Sequence, residues 1–113
     1  MIAGVWRGWT RAEDATAYAE YMGGTGGQAL ADTPGNRGVY MLRRLMGDTA
    51  EFVMLSLWES EEAIHAFAGE DISVAVFFPE DDRFLTDREL TVSHYEVVET
   101  RGLSSEPHEK GQV

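Results

Sequence analysis

The chain has 113 residues, 20 acidic against 9 basic for a formal charge of -11, and no cysteine. That length makes one domain, able to bury roughly two thirds of its unfolded surface. The charge sets aside nucleic acid and anionic membrane surfaces, which recruit clustered lysine and arginine. The missing thiols remove disulfides, iron–sulfur clusters, thiolate zinc sites and cysteine nucleophiles.

No apolar run approaches the roughly 20 residues of a membrane span, and the N-terminal Met-Ile-Ala-Gly-Val-Trp-Arg lacks the basic and long apolar regions of a signal peptide. A soluble cytoplasmic protein with neither membrane nor nucleic-acid partners is expected. Residues 2–10 carry Val5, Trp6 and Trp9 among small residues and predict a first strand. Residues 11–22 predict a helix: Thr10 as cap, Glu13 and Asp14 in the first turn, and a stripe of Ala15, Tyr18 and Met22. Gly23-Gly-Thr-Gly-Gly27 reads as a helix end and a mobile loop, because each glycine costs on the order of 1 kcal/mol relative to alanine inside a helix. It follows a helix and lacks a P-loop lysine, so a phosphate cradle is set aside.

Thr33-Pro-Gly-Asn-Arg-Gly38 is a turn cluster leading into a second strand at 39–46, and Gly47-Asp48 opens a tight hairpin into the third. Alternation along Phe52-Val-Met-Leu-Ser-Leu-Trp58 puts Phe52, Met54, Ser56 and Trp58 on one face and Val53, Leu55 and Leu57 on the other. Both faces of this strand therefore require cover. Ser60 caps a helix with Glu61 and Glu62 in its first turn and Ala63, Ile64, Phe67 and Ala68 on its apolar side. A further helical piece is expected at 71–78, ended by Pro79, and a short helical turn over 79–83. Residues 91–99 alternate as a fourth strand, giving a domain over 1–99 and a disordered polar tail over 100–113.

Strand, helix, strand, strand, helix, strand is the ferredoxin-like α+β order: a four-stranded antiparallel sheet with both helices on one face. The other face leaves roughly 400 Å² of apolar surface bare, the upper end of what monomers tolerate, so a homodimer packed sheet to sheet is expected.

The residues that follow a strand here carry a family resemblance. Trp58-Glu-Ser-Glu-Glu-Ala, the Pro34-Gly-Asn-Arg-Gly-Val-Tyr40 entry to the preceding strand, and His94-Tyr-Glu-Val97 together resemble the antibiotic biosynthesis monooxygenase family across residues 2–98. The resemblance implies a dimeric α/β barrel with a ligand pocket between each sheet and its helices. Some members of the family oxygenate aromatic polyketides without metal or flavin, and others degrade heme. The heme-degrading branch uses a first-strand asparagine, a helix tryptophan and a histidine iron ligand. This chain has no asparagine in 5–7, and Phe67 and Phe77 stand at the other two positions. Phenylalanine cannot ligate iron.

Cofactor-free oxygenation needs a base, donors for an oxyanion and a dry pocket. His65 and His94 are the candidate bases, each also readable as a surface histidine, and Arg43 and Tyr40 are candidate stabilisers that alternation sends to opposite faces. The resemblance turns Trp58 from a core residue towards the pocket. Trp6, Tyr40, Phe67 and Phe77 add surface for stacking a flat ligand or for filling a core. An arginine in an apolar strand requires a partner, so at least one of Arg7, Arg43 and Arg44 should meet Glu51, Glu96 or an anionic ligand. Glu61 and His65 are four apart on a helix, and a solvated face outweighs a metal site there. The expectation is a small monooxygenase or related tailoring enzyme for an aromatic, polyketide-like substrate, with no cofactor or metal and molecular oxygen as co-substrate. The alternatives are a non-catalytic dimeric binding or interaction module and a heme-binding or heme-degrading protein.

Overall fold

The computed structural model describes residues 1–102. β1 (Ile2–Arg11) is the central strand, β2 (Asn36–Met46) an edge, and β3 (Thr49–Trp58) lies between them. β1 and β3 pair antiparallel without interruption from Ile2↔Trp58 to Arg11↔Thr49. The hairpin from β2 to β3 turns on Gly47, whose φ of 64° suits the first central position of a two-residue turn. The other edge of β1 is shared by β4 (Leu85–Arg88) against Gly8–Thr10 and β5 (Ser93–Glu96) against Ile2–Val5. The strand expected at 91–99 is present as the shorter β5, and β4, for which the sequence gives no strand expectation, shares the same edge of β1.

All helices lie on one face of the sheet. α1 (Ala15–Gly24) follows a 3-10 turn at Ala12–Asp14, α2 is Gly26–Asp32, α3 is Glu61–Ala68 and α4 is Asp81–Phe84. Under them β1 buries Gly4, Trp6, Gly8 and Thr10, and β3 buries Phe52, Met54, Ser56 and Trp58. Tyr18 of α1 meets Phe52 edge-on at 5.0 Å, and Trp58 packs on Phe67 of α3 at 6.2 Å. Val53, Leu55 and Leu57 turn to the outer face, half-buried, where Tyr40, Leu42 and Tyr95 are exposed. Ser60 caps α3 as expected, its Oγ accepting from Ala63 N at 3.2 Å. Thr10 caps nothing; its hydroxyl donates to Arg11 O.

Two expectations are corrected. The glycine run is not a loop: α1 and α2 run through it with a break at Thr25, whose hydroxyl donates to Tyr21 O at 2.8 Å. Gly26 is buried against Met22, and a Cβ there would stand 2.8 Å from the Met22 sulfur, so packing of Met22 and Leu30 overrides low helix propensity. Residues 71–78 are not a helix either. Asp71 Oδ1 accepts from Ser73 N and Oγ in a turn over 72–73, closed by Val74 N donating to Asp71 O at 3.2 Å, after which Val74 bridges Thr91 and no helix follows before 81. The segment's other backbone bonds go to the chain beyond β4, Ala75 N to Leu90 O and Val92 N to Ser73 O. β-Branched residues at every second position suit that pairing better than a helix of two turns between Gly69 and Pro79. We call residues 69–80 the strap. Of the tail expected over 100–113, the part from residue 103 lies outside the described residues.

Candidate functional site

The strap and α3 close over the sheet to leave a cavity of about 70 Å³. Its floor is three strands wide. Trp6 comes from β1, Trp58 from β3 and His94 from β5, while Phe67 of α3 and Phe77 of the strap form the roof. Each ring has a fixed seat. Trp6 lies along β1 over Gly8, where a Cβ would stand 2.5 Å from the indole, and its Nε1 donates to Glu89 O at 2.7 Å. It meets Phe77 edge-on at 6.1 Å. Phe77 is held from its other side by the guanidinium of Arg88 at 4.7 Å, itself paired with Asp82. Trp58 is 1% exposed and donates from Nε1 to Ser56 Oγ at 2.9 Å.

Polar groups at this wall are few. His94 sits opposite Gly4 in the β1–β5 register, and burial lowers its pKa from the ordinary imidazole value while Glu61 pulls the other way. The neutral imidazole is thereby favoured, and among the described residues its nitrogens have no hydrogen-bond partner. Ser56 sits opposite Gly4 on the β3 side. The third polar residue is Asp81, 2% exposed, whose two carboxylate oxygens accept from the Tyr18 hydroxyl at 3.1 Å and from Phe78 N at 2.6 Å. Burial first, then the Asp81 charge, raises the Tyr18 pKa far above that of a free phenol.

Of the residues singled out from sequence, the fold gathers Trp6, Trp58, Phe67, Phe77 and His94 around one cavity. His65, Arg43 and Tyr40 lie outside it. His65 points along the solvent side of α3, where Nδ1 donates to Gly69 O at 2.8 Å and Nε2 stands 3.7 Å from Glu61. Arg43 pairs with Phe52 across the β2–β3 ladder but is exposed at the sheet edge. Tyr40, opposite Leu55, is 48% exposed on the outer face. The expected pairing is found, Arg44 with Glu51 and Arg7 with Glu89 at 2.8 Å, but burial does not demand it, since the arginine side chains are 70% and 49% exposed. Sequence reasoning passed over Ser56, Gly4 and Asp81. For Ser56 a signal existed, a lone hydroxyl on the Trp58 face of an apolar strand. Gly4 becomes visible only through strand register, and Asp81 only through the tertiary contact with Tyr18.

The sequence model of the antibiotic biosynthesis monooxygenase family matches residues 1–76. No curated protein matches the chain significantly. Among solved structures, a Bacillus cereus protein assigned to the antibiotic biosynthesis monooxygenases superposes with a TM-score of 0.65 at 14% identity, covering 90% of this chain and 97% of its own. MhuD of Mycobacterium tuberculosis, a heme degrader with two hemes bound in its active site, superposes with a TM-score of 0.56 at 23% identity over 90% of this chain and all of its own. A variant of MhuD with two manganese protoporphyrins per active site gives 0.57 at the same identity and covers 99% of its own length. No helix among the described residues is long and apolar enough to cross a membrane.

Proposed function

The chain belongs to the antibiotic biosynthesis monooxygenase family, and from that premise we propose that it is a small cofactor-independent monooxygenase or related tailoring enzyme for an aromatic, polyketide-like substrate. The observation that carries this reading is His94: an imidazole favoured in its neutral form, facing a cavity walled mainly by aromatic and aliphatic side chains. A flat phenol or enol stacks between the rings and gives its proton to His94. The resulting carbanion-like anion passes one electron to molecular oxygen, the radical pair combines to a peroxide anion, and His94 returns its proton to give the hydroperoxide. In a substrate methylene the peroxide loses water, so that one oxygen atom stays as a ketone and the other leaves as water. The apolar walls keep solvent from the anion while this happens.

Oxygen uptake tests the reading. With an anthrone as substrate, the purified protein is expected to consume one oxygen per ketone formed, above the rate of autoxidation, and His94→Ala is expected to lose that excess. No uptake above autoxidation across a panel of anthrones and hydroxynaphthalenes, with Trp58→Ala changing nothing, removes the proposal.

The working form in this reading is a homodimer. Tyr40 and Leu42, each 48% exposed, and Tyr95, 58% exposed, lie on the helix-free face, an apolar surface suited to a second copy. A 12.6 kDa species in dilute sedimentation would count against it.

One observation favours the second reading, a binding module without catalysis. The free volume of about 70 Å³ is well below the roughly 300–1,000 Å³ usual for small-molecule sites. Tight binding of an aromatic ligand without turnover would support the module. Heme held in the manner of the heme-degrading branch does not fit the residues present: Phe77, at the position of the iron ligand, has no lone pair and is packed against Trp6.

A further inference from the structure

We propose that the cavity selects its ligand by a single oxygen atom, held above Gly4 between the Ser56 hydroxyl and the His94 imidazole, and so takes neutral aromatics that bear a ring hydroxyl or enol. The inference rests on the reading of this cavity as an aromatic small-molecule site, and it assigns Ser56 and Gly4 roles within it.

Strand register builds the arrangement. Ser56 of β3, Gly4 of β1 and His94 of β5 are directly paired neighbours, so their side chains stand in one row on the inner face of the sheet. At the middle of that row there is no side chain. A Cβ at Gly4 would lie 2.9 Å from Ser56 Oγ, closer than side chains approach, and 3.4 Å from both Nε2 and Cδ2 of His94, in ordinary contact, so a methyl group there would displace the Ser56 hydroxyl and fill the gap up to the imidazole. With no side chain at Gly4, the Ser56 hydroxyl and the His94 imidazole face each other across bare backbone, two polar groups in a mostly apolar wall, and we call the space above Gly4 between them the slot.

The two sides of the slot are chemically complementary. Trp58 Nε1 donates to Ser56 Oγ, which occupies a lone pair of the hydroxyl and leaves its hydrogen free to donate. Trp58 is fully buried, so this orientation is fixed by a ring that cannot swing away. Across the slot, a neutral imidazole accepts through a ring nitrogen that carries no proton. A phenol or enol satisfies both at once, accepting from Ser56 and donating to His94. When the proton moves, the substrate O–H bond breaks, an N–H bond forms on the imidazole, and the electron pair stays on oxygen, where the Ser56 hydroxyl continues to donate to it. A hydrocarbon leaves both groups unpaired in an apolar site, and an ether supplies an acceptor but no proton.

The test uses 1-naphthol, 1-methoxynaphthalene and naphthalene as probes, with binding to the full chain followed by tryptophan fluorescence and calorimetry. Wild type is expected to bind 1-naphthol about tenfold more tightly than naphthalene, the worth of one to two net hydrogen bonds, with the methyl ether between them. Ser56→Ala should keep the naphthalene affinity and shrink the preference to about twofold. Gly4→Ala should fill the slot and lose 1-naphthol more than naphthalene. Should Gly4→Ala fail to fold, Ser56→Ala and Trp58→Phe, which removes the indole donor but keeps a ring, decide the matter. Equal affinities of wild type for 1-naphthol and naphthalene, or a full preference surviving in Ser56→Ala, would overturn the slot while leaving an aromatic site in place. Binding of none of the three probes would overturn the aromatic-site reading and the slot with it. A slot that behaves as described in a protein that consumes no oxygen would instead retire the monooxygenase and leave the binding module.

Discussion

The cavity is closed from two sides by chain of very different construction. Its floor is a ladder in which β1 and β3 pair over their full lengths and β2 extends the sheet with a single irregularity near its start. Its roof, the strap, touches the sheet's far edge through one isolated pair, Val74 with Thr91, and two backbone bonds, and exposes half of Val74 and much of Val76. A floor of this kind holds side chains at fixed spacing; a roof tied down by so few backbone bonds is expected to open at a lower free energy than the floor. The difference bears on volume. On the proposed reading, a space of about 70 Å³ requires a flat ligand of two or three rings to enter by lifting Phe77 and its neighbours and not by deforming Trp6, Ser56 or Trp58.

Trp58→Ala breaks the floor and carries the largest expected effect. The indole is 1% exposed, packs on Phe67 and bonds Ser56, so its loss should destabilise the protein by about 3–5 kcal/mol, read from urea unfolding. A loss below 1 kcal/mol would mean that the floor repacks as readily as the roof. Hydrogen exchange sharpens the contrast directly. The amides of Ala75 and Val92, which bond Leu90 and Ser73, should exchange roughly a hundredfold faster than those within the β1–β3 ladder. Equal protection would make strap and sheet one cooperative unit in which the strap does not open alone. Asp81 anchors the strap's C-terminal end, so Asp81→Ala leaves the Tyr18 hydroxyl and the Phe78 N–H without their acceptor and should cost about 1–3 kcal/mol. The same pair has a pH signature. Because the folded state raises the Tyr18 pKa, its contribution is complete below the ordinary tyrosine value of about 10 and is lost above it, where the unfolded chain ionises first. Tyr18→Phe should remove that alkaline decline.

The same division separates what was readable in the letters from what was not. β3 and α3 announce themselves, one by alternation from Phe52 to Trp58 and the other by the Ser60 cap with two glutamates behind it, because both are decided within their own segment. The strap is decided elsewhere. Ile72, Val74 and Val76 are compatible with a short helix until Leu90 and Val92 supply backbone partners, and those partners are some 15 residues away. The glycines at 23–27 mislead for a related reason, since the contact of Gly26 with Met22 outweighs propensity. Among site residues, Trp58 and Phe67 were legible from strand alternation and helix stripe, whereas Trp6 and Phe77 were named only as aromatic surface, without a face assigned. His94 and His65 were indistinguishable until β5 took its place beside β1 and α3 turned His65 towards Gly69. Tyr40 was expected at the pocket although it shares the parity of Leu42 and Arg44, which puts all three on the outer face.

The smallest expected effect concerns His94, and it separates a histidine of the floor from one at the surface. Burial favours its neutral form in the folded state, whereas the unfolded chain titrates it near 6.5. As pH falls through that value the unfolded state takes up a proton first, so the contribution of His94 to stability is present at neutral pH and declines on acidification. Other carboxylates titrate over a neighbouring range, so the informative quantity is the difference between wild type and His94→Gln, measured as urea midpoints at pH 7.5 and about pH 5.5. Wild type should lose more across that interval than the variant. Parallel losses would mean that the imidazole is as well hydrated in the fold as out of it. A hydrated His94 would gain no advantage as a base from the apolar walls around it, and the chemistry assigned to the cavity would need another proton acceptor.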